Sequence, residues 1–238
     1  MAGTELHRRI IECTPTDGSD QAHIDIHHVS RASAIPDRTE FLIGTGTMNP
    51  AYEAAQSVLA LEASARAAGS SLVIGIPCNT FHAPSIFDVF HAELERLGSS
   101  SEILSMTACI ADYLEEHASH YKRIGILSTT GTKKARIYHD LLKDRGYTLI
   151  ETDEHGQDML HTALYDPSYG LKAVAPASGT ARGMIQDQAR TLIAQGADCI
   201  LLGCTELPLA FDGETFEQVP LIDPMVLLAQ ALVARIGA

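Results

Sequence analysis

The sequence predicts an α/β fold of two similar lobes, each built on a parallel sheet, with the active-site cleft between them. Two observations carry this. Short apolar runs bounded by turn residues (Ser71 to Pro77, Arg123 to Ser128, Asp198 to Gly203) alternate with helical stretches, and each run is apolar on both faces, as in parallel strands covered by helices. One grammar also recurs. Ala-Ala-Gly-Ser-Ser-Leu-Val-Ile-Gly-Ile-Pro-Cys-Asn-Thr (67–80) and Ala-Gln-Gly-Ala-Asp-Cys-Ile-Leu-Leu-Gly-Cys-Thr-Glu (194–206) both read helix end, glycine, strand, cysteine, threonine.

Taken in chain order, Leu6 to Ile11 is helix-like, and the alternation in Ala22 to Val29 predicts a weak strand. Ala51 to Ala68, rich in Ala, Leu and Glu, is a helix stopped by Gly69, and leads into the first strong strand. A weaker strand follows at Glu102 to Met106, then a helical pattern from Ala108 to His117 and the second strong strand. Thr148 to Glu151 is a further short strand. The helix from about Ala181 to Gln195 stops at Gly196 before the third strong strand. Val219 to Ile222 is the last strand, and the final helix, Met225 to Ile236, is expected to pack back on the first lobe. The predicted boundaries are residues 1–106 with 224–238 for the lobe carrying Cys78, and residues 107–223 for the lobe carrying Cys204.

Composition narrows the function. A chain of 238 residues with 45% hydrophobic content can bury a sizeable core. Its 17 basic and 30 acidic side chains give a formal charge of −13, which works against nucleic-acid or anionic-membrane surfaces and favours a small ligand. No apolar run approaches the roughly 20 residues that span a bilayer, and the start lacks the apolar core of a secretion signal, so a cytoplasmic location is expected. The five cysteines (13, 78, 109, 199, 204) are an odd number without C-x-x-C spacing, which favours free thiols over disulfides or a structural zinc site.

Cys78 and Cys204 lie 126 residues apart, each where a strand ends. In open α/β sheets that carboxyl edge is where ligands bind. Two thiols facing one substrate would suit racemisation, in which one group removes a Cα proton and another returns a proton to the opposite face. A thiolate is a competent base when desolvated, and the scheme needs neither metal nor organic cofactor. Asn79, Thr80, Thr205 and Glu206 occupy strand-to-helix turns, where amides, hydroxyls and backbone N–H groups hold a carboxylate, and Glu206 is suited to the substrate ammonium. The bland alternative is that both cysteines are small buried hydrophobes. Their matched placement argues against it.

Ile76-Pro77-Cys78-Asn79-Thr80-Phe81-His82 and Leu202-Gly203-Cys204-Thr205-Glu206-Leu207-Pro208 resemble the two active-site motifs of the aspartate/glutamate racemase family. The similarity runs from about His7 to the C-terminus and includes Ile35-Pro36-Asp37-Arg38-Thr39, Thr129-Thr130-Gly131-Thr132, Gly170-Leu171-Lys172 and Leu221-Ile222-Asp223-Pro224. The resemblance implies Rossmann-like lobes, no cofactor, a small anionic amino-acid or dicarboxylate substrate, and commonly a homodimer. It makes Cys78 and Cys204 the acid/base pair. Arg38 and Lys172 match the receivers of the substrate side-chain carboxylate, and Asn79, Thr80, Thr129 and Thr205, with Thr132 in the same motif, match the groups holding the α-carboxylate and amine. Glu206, where glutamate racemases carry His, points to the aspartate branch. Maleate isomerases, hydantoin racemases and arylmalonate decarboxylases are similar in outline, although two cysteines argue against a decarboxylase. A cis–trans isomerase and a non-catalytic carboxylate-binding homologue therefore stand as alternatives.

The chain departs from the family at its start. By the resemblance a first strand and glycine-rich loop are expected there, whereas Leu6 to Ile11 reads as a helix, so the usual first strand and loop are expected to be missing. His23, Asp25 and His27 would share one face of the predicted strand, a spacing open to a divalent metal, but ordinary half-exposed histidines are the preferred reading, with His27 or His28 alternatively near the pocket. Cys13, Cys109 and Cys199 are read as structural. Tyr165 and Tyr169 flank the Lys172 segment as core packing or part of a lid.

Overall fold

The computed structural model describes residues 2–237. The chain folds as an α/β protein with two compact units, one running to Cys109 and resuming at Met225, the other spanning Ile110–Pro224.

Unit 1 contains α1 (Ala2–Cys13), α2 (Arg38–Ile43), α3 (Ala51–Ala68), β1 (Val73–Gly75), α4 (Pro84–Arg96), β2 (Glu102–Leu104) and the start of α5 (Met106–Glu116). β1 and β2 pair in parallel, with Val73 opposite Glu102 and Gly75 opposite Leu104. The last helix, α10 (Pro224–Ile236), packs its Met225, Leu228, Ala229 and Leu232 against Leu6 and Ile10 of α1 and against Met106. Leu6 and Ile10 are four residues apart and so share one helix face. Gly75 lets this contact be close: a Cβ there would lie 2.8 Å from a Leu232 methyl, which would have to shift.

The predicted strand over Ala22 to Val29 does not form. Asp20–Ala22 makes a single 3-10 turn, and residues 24–31 have no regular structure. The alternation has another cause: Ile24 and Ile26 pack against the core of α1 and α10, so every second side chain points inward without a ladder partner. His23, Asp25 and His27 therefore do not share a strand face, and no group of three or more metal-ligating side chains is assembled among the described residues. His27 instead bonds Ser64 Oγ at 2.7 Å. No strand precedes β1 among the described residues.

Unit 2 is built on a five-stranded sheet in the order β4-β3-β5-β7-β6. The strands are β3 (Arg123–Ser128), β4 (Thr148–Glu151), β5 (Cys199–Gly203), β6 (Thr215–Phe216) and β7 (Val219–Ile222), and only the β6–β7 pair is antiparallel. Helices α6 (Thr130–Lys134), α7 (Ile137–Leu142), α8 (Glu154–Tyr165) and α9 (Gly179–Ala194) supply the crossovers. β3 and β5 are buried almost end to end, which is why their sequences are apolar on both faces. Chain connections leave β3 toward β4 on one side and β5 toward β7 on the other, so the strand order reverses between β3 and β5. At such a reversal the carboxyl ends of two strands open a crevice. No described helix is long and apolar enough to cross a membrane.

Candidate functional site

In unit 1 the chain leaves β1 through Ile76 and Pro77. The Cys78 N–H donates to the Ile76 carbonyl at 2.8 Å, a tight three-residue turn around Pro77, and residues Asn79–His82 then form a 3-10 turn. Cys78 is half-buried, whereas Asn79, Thr80 and His82 are buried. Arg38, half-buried, opens α2, whose N-cap Asp37 accepts from the Glu40 N–H, and α2 packs against the 3-10 turn carrying Asn79 and Thr80. Unit 1 thus gathers Arg38, Cys78, Asn79 and Thr80 in neighbouring segments.

The Cys78 carbonyl accepts twice, from the Phe81 N–H at 3.1 Å and from Nδ1 of His82 at 2.9 Å. Nε2 of the same ring accepts from the Met106 N–H at 3.1 Å. A backbone N–H only donates, so the ring is neutral with its proton on Nδ1. Burial pushes the His82 pKa down to about 4, against the opposing bond to Cys78 and with help from nearby His91. His82 was visible in the motif, but its role was not, because Met106 lies 24 residues away.

In unit 2 the register sets Ser128 opposite Gly203, so Thr129 and Cys204 are the next residues beyond two adjacent strand ends, on either side of the strand-order reversal. Gly203 permits this packing: a Cβ would meet the Tyr138 ring at 2.7 Å and the Leu127 carbonyl at 3.0 Å. Thr129 caps α6, its Oγ1 accepting from the Thr132 N–H at 3.2 Å and lying 3.0 Å from Thr132 Oγ1. Both threonines are buried. Gln157 of α8, which the sequence reading missed, supports this loop by donating to the Ser128 carbonyl at 3.0 Å. Nothing in the sequence distinguishes it from an ordinary helix glutamine.

Beyond β5, one oxygen of Glu206 accepts from three donors: Lys172 Nζ at 2.9 Å, Cys204 Sγ at 3.1 Å and Thr205 Oγ1 at 3.2 Å. Burial opposes charge on Glu206, but the Lys172 charge and these hydrogen bonds outweigh it and hold the carboxyl below its usual range. Burial, reinforced by the Glu206 charge and opposed by Lys172, pushes the Cys204 thiol well above its ordinary value. Lys172 would be lowered by burial, yet Cys204 and Tyr165 once ionised, together with the Glu206 carboxylate, raise it. At neutral pH the cluster is therefore a thiol, a carboxylate and an ammonium. Lys172 is delivered by the segment after α8, where the Leu171 and Lys172 N–H groups bond the Ala163 and Leu164 carbonyls, and its ammonium lies 5.4 Å from the Tyr165 ring centre. Tyr165 and Tyr169 pack against the unit 2 core. The sequence named Lys172 and Glu206 separately, but not that they pair.

Of the remaining cysteines, Cys199 is buried within β5, and that burial pushes its thiol up to about 12. Cys13 and Cys109 pack against the α1–α10 core.

Known proteins give a consistent comparison. The chain is 25% identical to aspartate racemase from Picrophilus torridus, with a TM-score of 0.80 over 99% of this chain and 89% of that one. An aspartate racemase homologue from Pyrococcus horikoshii OT3 shares the fold at 17% identity, TM-score 0.69, over 100% and 94% of the two chains. Glutamate racemase from Francisella tularensis, solved with D-glutamate, shares it at 13% identity, TM-score 0.60, over 99% and 77%. An uncharacterized protein from the pnlA 3′ region of Pectobacterium carotovorum is 34% identical over 92 residues, 39% of this chain and 57% of that protein's length. The sequence pattern of the Asp/Glu/Hydantoin racemase family matches residues 1–232, and the chain belongs to that family.

Proposed function

We propose that the protein inverts the α-carbon of an acidic amino acid, aspartate or glutamate, without a cofactor, using Cys78 and Cys204 as the two proton-transfer groups. The observation that carries this reading is that each cysteine follows the carboxyl end of a parallel strand, one in each unit. The likeness to the Picrophilus torridus aspartate racemase and the Glu after Cys204-Thr205 favour the aspartate branch.

In this scheme the buried Cys204 starts as the thiol. Cys78, as thiolate, takes the Cα proton from one face, and Cys204 delivers its own proton to the other. The protein ends with a Cys78 thiol and a Cys204 thiolate, the proton count is unchanged, and the return reaction runs the roles backward. Arg38 and Lys172 receive the side-chain carboxylate, while Asn79, Thr80, Thr129, Thr132 and Thr205 hold the α-carboxylate and amine. Glu206 pairs with the substrate ammonium while keeping Lys172 charged. The same reading makes the protein a cytoplasmic homodimer, which light scattering on the purified chain checks for assembly.

The decisive test is deuterium incorporation from solvent at Cα of the L and D forms of aspartate and glutamate. Exchange is expected in the native chain and lost in both Cys78→Ser and Cys204→Ser. Carboxylate binding without exchange in the native chain would overturn the enzyme in favour of a binding protein, and isomerisation of an unsaturated dicarboxylate would move it to the cis–trans isomerases. In a substrate complex the sulfurs should lie roughly 6 to 7 Å apart, two proton-transfer contacts of about 3 to 3.5 Å with the substrate carbon between them.

A further inference from the structure

β1 and β2 pair over three residues and end together, Gly75 opposite Leu104. Beyond that pair the two chains exit toward Cys78 and toward Met106, the first residue of α5. Side-chain His82 bridges these exits, donating from Nδ1 to the Cys78 carbonyl at 2.9 Å and accepting at Nε2 from the Met106 N–H at 3.1 Å. The ring is 5% exposed and packed 4.7 Å from Phe87 and 6.3 Å from Phe81, centre to centre, so it has little room to reorient. The bridge ends on the backbone of the residue whose side chain is to react.

We propose that His82 is a positioning residue for Cys78: by tying the Cys78 carbonyl to the entrance of α5, it fixes the direction in which the thiol leaves its turn. The role rests on the two-cysteine reading above. Proton transfer to carbon is steep in geometry, so a displacement of about 1 Å costs on the order of 100-fold in rate. The Phe81 N–H bonds the same carbonyl at 3.1 Å from within the turn, whereas His82 ties it to a separate segment. The bland alternative is a buried histidine that only adds stability.

Two near-isosteric substitutions separate these roles. The His82→Asn amide occupies the place of Nδ1 and keeps a donor to the Cys78 carbonyl. The His82→Gln amide reaches the place of Nε2 and keeps an acceptor for Met106, but loses the bond to Cys78. Each variant gives up one buried hydrogen bond of comparable worth, so a merely structural histidine would cost both alike. The positioning role predicts that kcat falls on the order of 100-fold further in His82→Gln than in His82→Asn, with similar KM and melting temperature. It also predicts that the iodoacetamide alkylation rate of Cys78, mapped by mass spectrometry in the free protein, changes in His82→Gln and stays near native in His82→Asn. Equal alkylation rates in the two variants would overturn the inference. Alkylation needs no substrate, so a native chain without exchange would remove the racemase reading while this comparison still decides the role of His82.

Discussion

The two units solve one local problem, holding a cysteine at the end of a parallel strand, by different means. In unit 1 the strand is short, the cysteine is half-buried, and the contacts that hold it fall on its backbone: the turn around Pro77 and the His82 bridge. In unit 2 the strand is buried throughout and Gly203 lets it pack tightly against β3. There the Cys204 carbonyl accepts from the Leu207 N–H at 3.0 Å, and the sulfur is held as well, through the Glu206 carboxylate and its partner Lys172. A repeated sequence grammar thus fixes where the cysteine stands, while the partners that differ between the two units, His82 in one and Glu206 with Lys172 in the other, decide which of its atoms is restrained. The charge-held cysteine is biased toward its protonated form.

The largest stability effect should come from breaking the charged cluster of unit 2. Lys172→Met leaves the Glu206 carboxylate buried without its cation, which costs about 4 kcal/mol in denaturant unfolding at neutral pH. The loss should shrink toward acid pH as the carboxyl takes a proton. An unchanged midpoint would show that the ion pair does not hold unit 2's cysteine, and the contrast between the units would fail.

Acid should act next, and on unit 1. His82 titrates near 4 in the folded protein, against about 6.5 when unfolded, so between those values the unfolded chain binds the extra proton. Its contribution is complete above pH 6.5 and is lost as the pH falls toward 4, an effect of about 3 kcal/mol. His91 on α4 pushes in the same direction. Hydrogen exchange between pH 7 and pH 4.5 should therefore show the peptides around Cys78 and Met106 loosening, and His82→Asn should flatten that dependence.

Gly203→Ala is the smallest of these changes. The new methyl must displace the Tyr138 ring or the β3 backbone, at about 2 kcal/mol in thermal or chemical melts. Exchange should drop with it, because Cys204 is the next residue. Full activity in this variant would mean that the close β3–β5 packing does not set the position of the thiol.

What the sequence made legible follows from how local each signal is. β3, β4, β7 and α3 form where apolar runs and the glycine stop place them, because burial on both faces and helix termination are written in adjacent residues. The alternation at Ala22 to Val29 misleads because period two records only which side chains point inward, and Ile24 and Ile26 do so against helices. At the candidate site, the clustering of Lys172 with Glu206 across 34 residues and the reach of His82 to Met106 across 24 depend on tertiary closure. Motifs named most of these residues, but spacing could not say which would touch.

The packing of α1 against α10 has a consequence for biosynthesis. Helix α1 leaves the ribosome well before α10 and finds this partner only when the stretch from Met225 onward has emerged, whereas unit 2 is complete as soon as Pro224 has cleared the exit tunnel. Unit 2 should therefore acquire protease resistance first on nascent chains, and the segment bearing Cys78 last. Chains arrested before Met225 should expose α1 to cleavage while leaving the five-stranded sheet intact.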